Sequence, residues 1–467
     1  MAATPTIFLH AELLPNIRQL TLHVSLLKSA SEIDLRESTI TLTESCRAVT
    51  VSTHHQGVEL VETLKLPVKV TDASRRNLSF AGHRVDIGGA EPEAQTAEYS
   101  FRLQVDPNDT GLTIPNQVLQ DDDYVPWTAS DVSTCVALHC RFCKQTIVDT
   151  TSKADTSSPW QWKDLPSGNW AEMMDFWHCH KPDVHPDEKE DQKNIEAQNA
   201  SVKGYGASNR VVATPRTGLV DVASFLVAES DCHGIKVQTI LLFPWTYFST
   251  RRTLLNLVGG SNAIEDGYGR LVLLEQRPTS NSVKSTLYGG KNPMNLGCSR
   301  CSAIIGTEDS VAEGLRLYKN NISVQHAGAT EDVYETHSID IITSSQLLDL
   351  IDHEGVRRFV IHAGQSDGIL LWVFNPDLRY SSSSANHSIG SRRAMKVLYQ
   401  HVKDVEGILE PENGAPTPLS LEELFLPKNI YDELVLSLQR SNLLIPISAR
   451  IFREWNVALL DRLEKHP

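Results

Sequence analysis

Long apolar runs are missing from this chain. No stretch approaches the roughly 18–20 residues that a membrane-spanning helix requires; the longest are short, such as residues 240–243. No membrane partner is therefore expected. Residues 1–14 have neither a cationic start nor an apolar core of the signal-peptide kind. Cysteine is sparse, eight in 467 residues, which excludes a disulfide-stapled secreted scaffold. Cations are outnumbered, 43 Lys and Arg against 58 Asp and Glu, for a net charge of −15. A surface of that sign lacks the clustered cations that phosphate binding needs, so direct nucleic-acid binding is not expected. Basic residues come only as pairs (Arg75–Arg76, Arg251–Arg252, Arg392–Arg393) and form no nuclear signal. The expected setting is cytoplasmic, nuclear or both. Also absent are a P-loop, a Gly-x-Ser-x-Gly elbow and a His-Glu-x-x-His helix.

What is present points to an α+β class: a β-rich N-terminal part, a zinc-stapled central β region and an α/β C-terminal part. Over residues 1–130, short strand-like runs at 6–9, 18–26, 39–43, 48–52, 68–70 and 99–105 are separated by turn residues, the pattern of a β-sandwich-like region. In the second run Leu20, Leu22, Val24 and Leu26 alternate with Gln19, Thr21, His23 and Ser25, the period of a half-buried strand. Residues 131–306 form the central region, with strands expected at 237–243 and 269–275. Residues 307–467 read as α/β, with helices at 310–318, 344–352, 391–402 and 448–463. A further helical stretch at 421–436 is broken by Pro427, and strands fall at 358–362 and 369–374.

The strongest chemical signal is a matched pair of motifs, Cys140-x-x-Cys143-x-x-x-Ile147 and Cys298-x-x-Cys301-x-x-x-Ile305. A two-residue gap lets a tight turn aim both thiolates at one ion, and four thiolates suit tetrahedral Zn²⁺. Four reduced buried cysteines, or a redox dithiol, are the other readings; the redox one lacks a βαβ context. A closed four-thiolate site leaves no open position, so such a zinc would be structural. Cys143 and Cys298 lie 155 positions apart, so the site would staple distant parts of the chain. Two such hairpins sharing one zinc resemble the β-tent of the Yippee and cereblon ligand-binding domains, which place their pairs much closer in sequence.

Two further segments stand out. In the helix expected at 169–178, Asn169 serves as N-cap with Glu172 three residues on. Trp170, Met173, Met174 and Trp177 share one face, more in keeping with core than with a cofactor site. The helix leads into His178-Cys179-His180, ahead of Pro182 and a polar acidic loop at 181–200. Basic or hydrogen-bonding neighbours favour a thiolate, whereas a helix C-terminus disfavours one. Cys179 is thus a nucleophile, a member of a second metal site, or a packed residue. Upstream, Asp121, Asp122 and Asp123 near Trp127 read as a solvated acidic turn or as a partner-binding loop.

The segment 165–180, Leu-Pro-Ser-Gly-Asn-Trp-Ala-Glu-Met-Met-Asp-Phe-Trp-His-Cys-His, together with the two Cys-x-x-Cys pairs and Trp372-Val-Phe-Asn-Pro376, resembles the HECT-like ubiquitin-conjugating-enzyme-binding proteins. The likeness runs over most of the chain. It implies binding to a ubiquitin-conjugating enzyme and ubiquitin, and ubiquitin-ligase activity, with a cyclin-type substrate. For fungal members it implies a link to the pre-mRNA 3′-end cleavage endonuclease, as substrate or as the client of a non-enzymatic, zinc-stabilised adaptor or chaperone. One departure matters. A true HECT ligase carries its thioester cysteine in a C-terminal lobe, but residues 302–467 contain no cysteine. With four thiols on zinc, a thioester is left to Cys46, Cys135, Cys179 or Cys232, and Cys179 with His178 and His180 is the best placed by context.

Overall fold

The computed structural model describes residues 7–27, 38–55, 58–81, 83–85, 96–109, 124–151, 159–165, 211–238, 294–328, 333–384, 390–409 and 421–464. Strands dominate. The first part supplies β1 (Ile7–Leu14), β2 (Gln19–Leu27), β3 (Thr39–Leu42), β4 (Ala48–His55), β5 (Val58–Lys65), β6 (Arg84–Val85) and β7 (Thr96–Gln104). The central part supplies β8 (Cys135–Cys140), β9 (Thr146–Asp149), β10 (Gln161–Asp164), β11 (Thr217–Val220), β12 (Ser224–Val227), β13 (Ile235–Gln238), β14 (Asn295–Cys298), β15 (Ile304–Asp309), β16 (Gly314–Tyr318) and β17 (Ile322–His326). The last part holds α1 (Ile339–Glu354), β18 (Arg358–His362), β19 (Gly368–Ser382), β20 (Arg392–Val402), α2 (Val405–Leu409), β21 (Leu421–Phe425), α3 (Lys428–Asn442), β22 (Ile451–Phe452) and β23 (Trp455–Asp461).

The alternating β2 is where the pattern placed it. Leu20, Leu22, Val24 and Leu26 are all fully buried and pack on Leu9 and Ala11 of β1 and on Phe101 and Leu103 of β7 in one apolar cluster. The strands expected at 358–362 and 369–374 are β18 and the first part of β19. Helix α1 encloses the one expected at 344–352. The Ser338 side chain caps its N-terminus, and Gly355 ends it at φ 67°, a left-handed backbone that glycine adopts without strain.

Three expected helices are strands. Residues 391–402 form β20, 448–463 contain β22 and β23, and 310–318 contain β16. The reason is burial on both faces. Val457, Ala458, Leu459 and Leu460 are consecutive and all buried, and so are Val397, Leu398 and Tyr399. A strand covered on both sides loses its period of two, so its sequence is a short apolar run that a helix also fits. The stretch at 421–436 does break at Pro427, but its first half is strand β21 rather than helix. The C-terminal part is therefore richer in strand than an α/β reading implies. The strand expected at 269–275 and the end of that at 237–243 lie outside the described residues, whereas β5 has no counterpart among the expected strands.

One sheet joins the two ends of the chain. Its order is β22-β23-β20-β19-β1-β2-β7-β6, and β18 and β21 extend it beside β19. The 15-residue β19 bends at register shifts between Val373 and Leu378, so its first half pairs with β18 and its last residues with β1. A buried polar cluster crosses the same junction. Lys396 on β20 donates to both Glu12 oxygens on β1 at 2.8 and 2.9 Å, and the His10 ring nitrogen lies 3.2 Å from that carboxylate. Burial alone would raise the Glu12 pKa, but the Lys396 charge and the His10 contact hold it well below the usual range. Glu98 on β7 accepts from the backbone N–H groups of Ile447 and Ser448 at 2.6 and 3.0 Å.

Breaking a buried ion pair leaves one charge uncompensated, so Lys396→Met should cost about 3 kcal/mol in a denaturant titration. His23, opposite His10 in the β1–β2 ladder, is pushed down to about 4 by burial and by the His10 charge. A lowered imidazole pKa means that the folded state prefers the neutral ring. Its contribution is whole above the ordinary value of 6.5 and is lost as pH falls towards about 4. The unfolding midpoint should drop across that window, and His23→Gln should flatten the drop.

Candidate metal centre

Two hairpins build the centre, and they share one design. β8 ends at Cys140 and β14 ends at Cys298. In the first turn the Cys140 N–H donates to Gln145 O at 2.8 Å and the Lys144 N–H to Cys140 O at 2.9 Å. In the second, the Cys298 N–H donates to Ala303 O at 2.8 Å and the Ser302 N–H to Cys298 O at 2.9 Å. Lys144 and Ser302 are both left-handed, with φ of 60° and 62°. Each hairpin also carries a third, antiparallel strand of matching sequence, Ile322-Ser-Val-Gln325 on β8 and Ile235-Lys-Val-Gln238 on β14. Their registers coincide: Ile322 faces Cys140 as Ile235 faces Cys298, and Val324 faces Leu138 as Val237 faces Leu296. The centre is thus a duplicated three-strand unit. The repeated Ile-x-Val-Gln is the sequence signal that would have disclosed it.

The duplication brings the four expected ligands together. All four sulfurs lie within 4.8 Å of one another, with Cys140–Cys301 at 3.6 Å and Cys143–Cys298 at 3.5 Å. The cysteines are unbonded, and sulfurs so spaced are too far apart for disulfides, which need about 2.05 Å. The spacing does suit an ion: Zn–S bonds of about 2.3 Å in a tetrahedron put the sulfurs about 3.8 Å apart. The set could therefore hold a metal ion. Cys140 and Cys298 are buried, Cys143 is half-buried and Cys301 is exposed. Burial pushes the Cys140 thiol up to about 12 and raises Cys143. Burial also opposes the Cys298 thiolate, but the N–H groups of Cys301 and Arg300 bring that thiol down to about 7. Four cations surround the turns, and each bonds to a neutral group. Arg300 donates to Cys143 O (3.3 Å), Arg141 to Asn320 O (2.9 Å), Lys144 to Ser323 Oγ (3.3 Å) and Lys236 to Ser302 Oγ (2.8 Å). Sequence reading had not singled out these four.

The other expected residues fare differently. Trp127 is 2% exposed, its ring against His337 and Phe225 at 4.5 and 6.0 Å. It is a core residue of the metal region, which corrects the expectation that it faces a partner. Asp121, Asp122, Asp123, His178, Cys179 and His180 lie outside the described residues, as do the helix expected at 169–178 and the loop at 181–200. Of the remaining thiols, Cys135 and Cys232 are pushed up to about 12, chiefly by burial, and Cys46 is buried.

Fold and site together define a β-rich protein in which two copies of a two-thiol unit assemble one four-thiol site. Residues 12–457 match the family described as HECT-like ubiquitin-conjugating enzyme (E2)-binding, and the chain belongs to that family. Its relatives include an uncharacterized protein of Schizosaccharomyces pombe, 25% identical over 76% of this chain and 82% of its own. An uncharacterized protein of Saccharomyces cerevisiae is 22% identical over 86% of this chain and 87% of its own. A mouse protein named as an E3 ubiquitin-protein ligase is 30% identical over 40% of this chain and 52% of its own. No solved structure matches the chain.

Purified under reducing conditions, the protein should carry about one metal ion per chain by mass spectrometry, and Cys298→Ser should lower that several-fold. Chelation should lower the thermal midpoint of the parent protein and leave that of the variant almost unmoved.

Proposed function

We propose that this protein is a ubiquitin-protein ligase that docks a charged ubiquitin-conjugating enzyme and speeds transfer of ubiquitin to protein lysines without carrying it on a thiol of its own. The observation that carries the reading is the family match over residues 12–457. In this reading the lysine amine attacks the thioester carbonyl on the conjugating enzyme, an isopeptide bond forms, and the enzyme's thiolate leaves. The ligase contributes orientation and exclusion of water.

The thiol chemistry supports docking over a covalent relay. Four of the eight cysteines sit in the cluster. We assign zinc to it, since four thiolates in a closed set favour that ion and leave no position open for catalysis. Cys135 and Cys232, with thiols near 12, hold only about one part in 10⁵ as thiolate at neutral pH. Cys179, flanked by His178 and His180, is the residue a covalent mechanism would use. Among the described residues all seven cysteines are unbonded, which fits a reducing compartment, the cytoplasm or nucleus.

A single-turnover discharge assay tests this. The metal-loaded protein, mixed with ubiquitin-charged conjugating enzymes and free lysine, should discharge one of them about tenfold or more faster than buffer does. No thiol-sensitive ubiquitin adduct should form on the chain, and Cys179→Ala should behave as the parent. An adduct that disappears in Cys179→Ala would replace docking by a covalent relay. Failure to accelerate any enzyme would end the ligase reading.

A further inference from the structure

The two copies of the metal unit differ at their outer edges. On β17, the Val324 N–H donates to Glu335 O at 3.0 Å and the Glu335 N–H donates back to Val324 O at 2.8 Å. Val324 is fully buried beneath that segment. Its counterpart on β13 is Val237, and the two ladders are in phase. Asn321 O accepts from the Arg141 N–H just as Gly234 O accepts from the Ser299 N–H. Antiparallel strands send alternate residues' backbone groups to opposite sides. The Val237 N–H and C=O therefore point away from β14, as those of Val324 point away from β8. Among the described residues no backbone group pairs with them, and β13 ends its sheet. Val237 is 54% exposed.

The surroundings of that edge are cationic, although the chain is strongly acidic. Lys236 on β13 and Arg300 on the β14 turn are exposed and form no ion pair among the described residues, whereas Arg141 and Lys144 belong to the other copy, where they reach His337 O and Ser323 Oγ. Phe142, in the Cys140–Cys143 turn of the other copy, is 57% exposed. Charge on a four-thiolate ion accounts for cations beside the sulfurs. It does not account for an open strand edge with an uncovered valine next to them. The other copy illustrates what fits. There the bordering segment is Val333-Tyr-Glu335, extended, apolar and acidic, and the Glu335 carboxylate meets the His326 ring at 2.8 Å.

We propose that the open edge of β13 takes up an extended acidic segment of a partner protein as an added strand, in the way the Glu335 segment borders β17. Strand addition draws affinity from main-chain hydrogen bonds and selectivity from the alternate side chains. Here Val237 receives an apolar residue, and Lys236 and Arg300 receive carboxylates. The inference goes beyond the ligase reading and stands apart from it.

The test uses the full, metal-loaded chain and a labelled peptide with the sequence of residues 331–337, Glu-Asp-Val-Tyr-Glu-Thr-His, beside a control whose acidic residues are lysines. Saturable binding of the acidic peptide, with amide-exchange protection confined to residues 235–238, is expected. Val237→Pro deletes the outward N–H and should weaken binding about tenfold. The double variant Lys236→Glu, Arg300→Glu should reverse the preference between the two peptides, and it keeps the test open if the proline variant does not fold. Equal binding of both peptides, unchanged binding by a folded Val237→Pro protein, absence of binding, or protection at residues 322–326 instead would each overturn the proposal.

Discussion

The cross-pairing of four thiols is the contact on which the central part of the molecule depends. Cys140 meets Cys301 and Cys143 meets Cys298, so neither hairpin can complete the site alone. The two turns stand 155 positions apart. Closing a loop of that length costs about 4–5 kcal/mol of chain entropy. An ion bound by four thiolates would contribute on the order of 10 kcal/mol, more than enough to offset that cost. Because the thiols come from two copies of one unit, an ion held there would tie together the sheet β17-β8-β9 and the seven-stranded sheet ending in β13, which otherwise meet at the bridge between Val148 and Cys232.

A second junction joins the beginning and end of the chain without a metal. There β1 adds to β19, and the charged cluster lies across the same seam. Apolar packing alone would let those strands slide, since a shift by two residues keeps the same faces inward. Lys396 on Glu12, and Glu98 on the turn at Ile447, fit only one register. This is how buried charge can serve specificity while adding little net stability.

These two junctions bear on function by what they leave free. Thiols clustered closely enough to hold a metal ion, or buried until their pKa nears 12, suit a scaffold better than a nucleophile. In a protein of the E2-binding family, such thiols favour the proposed docking role over a covalent one. The duplicated unit adds an asymmetry of its own: among the described residues one copy is sealed by the chain, while the other presents an unpaired strand edge beside exposed cations.

What was legible in the sequence was local. The alternation from Leu20 to Leu26 reported a strand with one apolar face, because a side-chain period of two is written in consecutive residues. The matched Cys-x-x-Cys pairs announced two equivalent turns, because their spacing is set by the turn itself. The sequence also marked Pro427 as a break. Tertiary structure decided the rest. Residues 391–402 and 455–461 became strands because layers on both sides buried them, and a continuous apolar run carries no period to read. Trp127, beside an acidic run, looked like a surface residue until Phe225 and His337, from distant parts of the chain, closed over it. The inequality of Val324 and Val237 was likewise invisible, since both stand in the same Ile-x-Val-Gln motif. Whether a strand edge is covered depends on what arrives from elsewhere in the chain, and a local pattern holds no record of it.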